Sequence, residues 1–235
     1  MSENIKKITK AFVVDLDSRE NQSIILKPSA RPFNNQAHQV NEVAKKIYKL
    51  IKGAKYPNDD IILNHNEIKE VFFSPFKPQL KDAQVFLSHS HADKNKALEV
   101  KNYLESETNH RVRVFIDSLF WDYKDDVLNE LEKYDDTSKI KDAFTLILRE
   151  SLQDMIEKCP YFVFLQSNNS VSFNQDLSCI TYSAWVYEEL KIAHSIRESR
   201  STQMMESWQV SHNISPFLES LETITLSKLS HIINS

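Results

Sequence analysis

Apolar residues recur along this chain in two rhythms. From residue 84 onward, short apolar runs alternate with longer stretches whose apolar positions fall three and four apart. Val85-Phe-Leu87, Arg111-Val-Arg-Val-Phe-Ile116 and Tyr161-Phe-Val-Phe-Leu165 predict buried strands, the last bounded by Pro160 and Asn168-Asn169. Ser90, with Asp93 three residues on, predicts a capping-box start to a helix running through Ser106, with Ala97, Val100 and Leu104 inward. Residues 117–126 read as a loop leading to a helix over 127–134. The strongest helical pattern covers 140–158, where Ala143, Phe144, Ile147, Leu148, Leu152, Met155 and Ile156 share one side. Residues 222–226 suit a late strand. Strands separated by helices imply parallel pairing through right-handed crossovers, so the expected fold class is α/β: three layers, with a mainly parallel sheet flanked by helices.

The first 80 residues read differently. One strand-like run, Ala11-Phe-Val-Val-Asp-Leu16, precedes a polar stretch with Pro28 and Pro32. A helix follows on Val40, Val43, Ala44, Ile47 and Leu50, with Gly53 placed to end it. Pro57, Pro75 and Pro78 then punctuate two short apolar runs, 61–63 and 71–73. This pattern predicts a small α+β N-terminal extension, residues 1–80, packed on a main domain of residues 81–235.

One residue breaks its helix's pattern. In Ser183-Ala-Trp-Val-Tyr-Glu-Glu-Leu-Lys-Ile-Ala-His-Ser-Ile196, a step of about 100° per residue gathers Trp185, Val186, Leu190, Ile192, Ala193 and Ile196 on one arc, and Glu189 falls near its centre. Tyr187, Glu188, Lys191, His194 and Glu198 fall on the opposite side, which reads as the wet face. A carboxylate turned toward a core is costly unless it is paired or used. Glu189 is therefore either a core-edge residue that meets a cation or a working group.

Composition narrows the chemistry. The chain has 235 residues, 41% of them hydrophobic and 26% charged, with a mean hydropathy of -0.45, values of an ordinary globular protein. A net charge of -4 offers no basic surface for a phosphate backbone, so nucleic acid is an unlikely direct ligand. The longest wholly apolar run, 161–165, is far short of a membrane span, and residues 1–7 lead into no signal-like apolar core; the expected location is the cytoplasm, with no membrane contact. Cys159, beside a strand, and Cys179, in a loop, have no metal-like spacing and read as free thiols. A single glycine, Gly53, excludes glycine-rich phosphate loops of the Walker and dinucleotide types. His89-x-His91-x-Asp93 matches the start of a zinc-hydrolase signature, but Lys94 stands where the next histidine belongs and no second cluster completes it; no metal is expected.

Several of these pieces together resemble one family. Val85-Phe-Leu-Ser-His-Ser-His-Ala-Asp93, then Val114-Phe-Ile-Asp-Ser118 with Trp121 and Tyr123, then Asn168-Asn-Ser170, and finally Ser183-Ala-Trp-Val-Tyr-Glu-Glu-Leu190 look in order like a bacterial Toll/interleukin-1 receptor (TIR) domain over residues 81 to about 200. The resemblance implies a flavodoxin-like fold. It also implies cleavage of NAD+, a substrate rather than a cofactor, with Glu189 at the W-x-x-x-E position as catalytic residue. Phe86, Ser88, His89, Ser90, Asp117, Trp121, Tyr123 and Trp185 follow as substrate-binding residues. Asp122 stands where related sequences often carry glycine between the aromatic residues.

The leading functional expectation is thus an NAD+ hydrolase or cyclase (an NADase or ADP-ribosyl cyclase) that releases nicotinamide and leaves ADP-ribose or a cyclic variant. The resemblance implies a role in bacterial antiviral defence through NAD depletion or nucleotide signalling, and a homo-oligomer on activation. Residues 1–80 are a possible contact for a partner protein. The alternative is a non-enzymatic TIR scaffold that signals by homotypic assembly.

Overall fold

The computed structural model describes residues 10–25, 37–53, 64–75, 82–116, 118–134, 138–173, 178–198 and 212–235. The chain divides into two compact units, residues 1–30, 82–117 and 152–235 in one and residues 31–81 and 118–151 in the other.

The first unit is built on a five-stranded sheet. β1 (Lys10–Asp15), β2 (Ala83–Ser88), β3 (Arg113–Ile116), β4 (Tyr161–Gln166) and β8 (Glu222–Thr223) pair in the order β3-β2-β4-β1-β8, and each neighbouring pair is parallel. The runs Phe12-Val-Val14, Val85-Phe-Leu87 and Phe162-Val-Phe-Leu165 are buried without alternation. Such continuous apolar runs are what a parallel sheet covered on both faces requires. Helices α1 (Arg19–Ile25), α4 (Lys94–Glu107) and α9 (Leu226–Asn234) pack on one another, and α4 also packs on β3. α7 (Ala184–Glu198) packs on β2 and on β6 of a small antiparallel sheet, β5 (Ser172–Phe173), β6 (Cys179–Thr181) and β7 (His212–Asn213), followed by the short α8 (Ser215–Leu218). A mainly parallel sheet flanked by helices, the three-layer α/β class, is the fold.

The N-terminal boundary differs from expectation. β1 lies between β4 and β8, paired with β4 from Lys10 opposite Tyr161 to Asp15 opposite Gln166. Residues 10–25 are thus part of the sheet unit rather than an extension of it. In the doubly wound order 2-1-3-4-5 the fourth place belongs to a later strand; here an N-terminal strand fills it. The late strand is shorter than expected, ending at Thr223, and Leu226 already begins α9.

The second unit draws on both chain excursions. α2 (Ala37–Gly53) packs on α3 (His65–Phe73) and on α5 (Ser118–Leu131), with Val43, Ala44, Ile47 and Ile51 of α2 buried. Phe72 lies 5.1 Å from Tyr123 and 5.3 Å from Phe144, ring centroid to centroid. The stretch 117–126, expected as a loop, is helical from Ser118. Gly53 ends α2 without adopting a left-handed backbone. α6 (Ser138–Lys158) starts slightly before its predicted position, and Phe144, Ile147, Leu152, Met155 and Ile156 are buried as its period requires.

Two side chains make this fold testable. Asn21, 1% exposed, donates from Nδ2 to the Asp15 carbonyl at 2.7 Å, and its Oδ1 accepts the Leu226 N–H at 2.9 Å, joining β1 to the start of α9. Asn21→Ala leaves both backbone groups without that partner, and urea denaturation should show a loss of about 2 kcal/mol or more. Cys159 is fully buried, and burial pushes its thiol up to about 12. The unfolded chain ionises this thiol near its ordinary value of 9.0, so the thiol's contribution to stability is intact below that pH and declines as pH rises toward about 12. Iodoacetamide at pH 8 should label Cys179 in the native protein and reach Cys159 only in denaturant, as read by mass spectrometry.

Candidate functional site at the carboxyl ends of the strands

In an open parallel sheet, ligands collect where the chain leaves the carboxyl ends of the strands. The order β2-β4-β1 brings three such exits side by side. After β2, Ser88, His89 and Ser90 are all buried, at 0%, 4% and 8% exposure. The Asp93 N–H donates to the Ser90 carbonyl at 2.8 Å, closing one 3₁₀ turn (His91–Asp93) before α4. The predicted capping box does not form, because Ser90 makes no side-chain cap bond and the Asp93 carboxylate is engaged elsewhere.

Asp93, 1% exposed, accepts a close hydrogen bond from Ser167 Oγ and another from Asn169 Nδ2 at 2.9 Å. Lys96 Nζ stands 3.2 Å from Asp93 Oδ1 and 3.5 Å from Asp17 Oδ1. Burial alone would lower the Lys96 pKa, but hydrogen bonding and charge from Asp93, with Asp17 added, outweigh it and raise the pKa above its ordinary value. Asp17 Oδ2 accepts the Asn168 N–H at 3.0 Å, so the exit of β1 grips the turn after β4 as well. That turn is tied within itself: the Ser167 N–H donates to Ser170 Oγ at 2.8 Å and the Asn169 N–H to Ser167 Oγ at 3.0 Å. A buried carboxylate supplied with several donors is a fixed part of the frame rather than a stray charge.

Glu189 lies where the helical period puts it. It is 0% exposed on α7, among Val186, Leu190, Ile192 and Ala193, each 2% exposed or less. Ser183 Oγ accepts the Val186 N–H at 3.2 Å, capping the helix, while Thr181 Oγ1 holds the Ser183 N–H at 3.2 Å. α7 packs on β2, so this buried carboxylate and Ser88, the last residue of β2, belong to two elements in direct contact. Ser88 Oγ is buried and finds no hydrogen-bond partner among the described residues. The expected wet face of α7 is instead partly covered: Tyr187 stacks on His212 at 4.4 Å, and His194 lies 5.3 Å from Phe217.

The remaining predicted site residues scatter. Phe86 is a core residue, stacked on Phe162 at 5.8 Å and 5.5 Å from Phe115. Trp185 is half-buried on α7. Tyr123 sits in the second unit, buried against Phe72, and burial raises its hydroxyl pKa. Asp117 and the side chain of Trp121 lie outside the described residues. His89 is buried and His91 exposed, so the His-x-His spacing does not converge, and no metal-like group of three His, Cys, Asp or Glu forms among the described residues. Ser167 lies in Gln166-Ser-Asn-Asn-Ser170, a polar stretch expected to leave a strand end at the site, whereas sequence reasoning missed Asp17 and Lys96. The signal was Asp15-x-Asp17 directly after an apolar strand, which went unread because β1 was assigned to an extension.

Compared with family models, curated proteins and solved structures, the chain matches none significantly.

The Asp93 cluster predicts its own energetics. Asp93→Ala strands the Ser167 hydroxyl and the Asn169 amide and leaves Lys96 with Asp17 alone, and should cost about 3 kcal/mol of stability. Ser167→Ala should cost about 1 kcal/mol, and denaturation of the double variant should show clear non-additivity. Strictly additive losses would mean that the two side chains do not act as one unit.

Proposed function

We propose that this protein is a TIR-type NAD+ hydrolase or cyclase, working in the cytoplasm as part of antiviral defence and assembling into a homo-oligomer when active. The observation that carries this reading is Glu189, fully buried at the centre of an apolar face of α7, a helix that packs on β2.

One carboxylate suffices for the chemistry. The bond from ribose C1′ to the pyridinium nitrogen breaks with its electron pair moving to the ring, so nicotinamide leaves neutral and needs no general acid, unlike an ordinary glycoside's leaving group. The charge then lies on an oxocarbenium-like ribose. A preorganised Glu189 carboxylate stabilises that charge, and exclusion of water strengthens the effect. Addition of water at C1′, with loss of a proton, gives ADP-ribose; attack by a nucleophile within the same molecule gives a cyclic product. Ser88, His89 and Ser90 are the polar groups nearest in the fold's logic to receive the substrate, with Trp185 half-exposed on the catalytic helix.

A non-enzymatic assembly module is the second reading. Phe173 and Tyr182, 67% and 63% exposed at β5 and just after β6, favour it, since large apolar side chains left in water commonly mark contact surfaces.

Glu189→Gln separates the two readings. It preserves volume and hydrogen-bonding reach while removing the charge, and losses on the order of 10²-fold or more in rate are typical for one such electrostatic contact. With NAD+ as substrate and products followed by mass spectrometry, the variant should remain folded and cleave at near background, while Glu188→Gln retains most activity. Wild-type turnover in the Glu189→Gln protein would transfer the case to the assembly module.

A further inference from the structure

Among the described residues β3 is an edge strand, and an edge strand ordinarily presents open N–H and C=O groups to any passing strand. This one is closed at its middle. The alternation of the strand turns the backbone groups of Val114 and Ile116 away from β2, and both groups of Val114 are taken. Its N–H donates to Glu105 Oε1 at 2.9 Å, and its carbonyl accepts from Lys101 Nζ at 2.6 Å. Lys101 and Glu105, one helical turn apart on α4, are themselves joined at 2.5 Å. Two residues earlier the Val112 N–H donates to Thr108 Oγ1 at 3.4 Å. Glu105 is 9% exposed and Thr108 fully buried, so these are built contacts rather than wandering surface charges.

The local chain is shaped to make them. Thr108 Oγ1 donates to the Leu104 carbonyl at 2.9 Å, and Asn109 and His110 both take left-handed backbones, φ 50° and 59°. That double turn folds the end of α4 directly onto β3 in a chain with one glycine to spare for such turns.

We infer that the Lys101–Glu105 pair is a built-in strand mimic, a carboxylate acceptor and an ammonium donor set where a neighbouring peptide group would stand, which closes the β3 edge against pairing with a second copy of this chain. The occupant excluded is a second copy because a two-fold-related molecule carries the same edge. Its β3, Arg113-Val-Phe-Ile116, is rich in β-forming residues and would lie antiparallel with matching donors and acceptors. This inference stands independently of the NAD+ reading.

Amide hydrogen exchange on the dilute wild-type protein tests the closure directly. The Val114 amide should be protected like amides inside the sheet, and exchange as fast as an open loop would overturn the proposal even if every variant failed to fold. In K101A/E105A the protection at Val114 should fall about tenfold or more at low concentration, in keeping with loss of a hydrogen bond to a charged group. Sedimentation should then show association that grows with concentration beyond that of the wild type. Glu105→Gln, which keeps an acceptor oxygen, should behave as the wild type. Sedimentation of a folded K101A/E105A protein unchanged from the wild type would show that the pair guards nothing.

Discussion

Six successive register pairs between β1 and β4 hold the first unit together. A parallel sheet with both faces covered cannot leave a central strand's backbone half satisfied, because water reaches neither side. β1 satisfies β4 on one flank and β8 on the other, and β8 has no other neighbour in the sheet among the described residues. The same strand carries Asp15, whose carbonyl anchors Asn21 and, through it, the start of α9. The core strands, the edge strand β8 and two of the helices packed together in the first unit therefore share one dependency. It is a backbone pairing between residues far apart in sequence, Lys10 opposite Tyr161.

That pairing also decides what meets at the strand exits. With β1 beside β4, Asp17 comes within reach of Lys96 and of the Asn168 amide, and Asp93 on the far side of β4 reaches Ser167 and Asn169. Three loops distant in sequence become one hydrogen-bonded frame. The frame holds the turn that follows the exit of β2, and α7, which carries Glu189, packs on that same strand. Precision at a site of this kind comes from supports that are themselves rigid.

Local periodicity made a large part of this legible in the sequence. The three strand runs, most of the inward face of α7 and the burial of Glu189 follow from apolar spacing, and Phe144, Ile147, Leu152, Met155 and Ile156 of α6 are buried where the period puts them. What failed was non-local. Nothing in Ala11-Phe-Val-Val14 says which strands flank it, and sequence neighbours are usually spatial neighbours, so assigning it to an extension was the natural error. Residues 118–126 were misread for a different reason: their polar and aromatic mixture resembles a loop, whereas tertiary packing of Tyr123 and Val127 makes them a helix. The Asp93 capping box failed because a short polar side chain near a helix start has several possible partners, and only the sheet order revealed the Ser167 hydroxyl as the one chosen. Phe86, already expected in a buried strand, owed its substrate role to the resemblance alone, and its stacking on Phe162 keeps it in the core.

The sheet's wiring has a consequence for how the protein comes into being. β1 leaves the ribosome well ahead of its partner residues, which begin at Tyr161 on one side and Glu222 on the other. At synthesis rates of about 5–20 residues per second, that leaves an apolar strand waiting roughly 8–30 s for its first neighbour. During that interval β2 and β3, which are close in sequence, can already pair, while β1 has no native surface to occupy. Of the strands in the sheet β1 thus waits longest for a neighbour, and α1, made immediately after it, is the first native helix to follow it out.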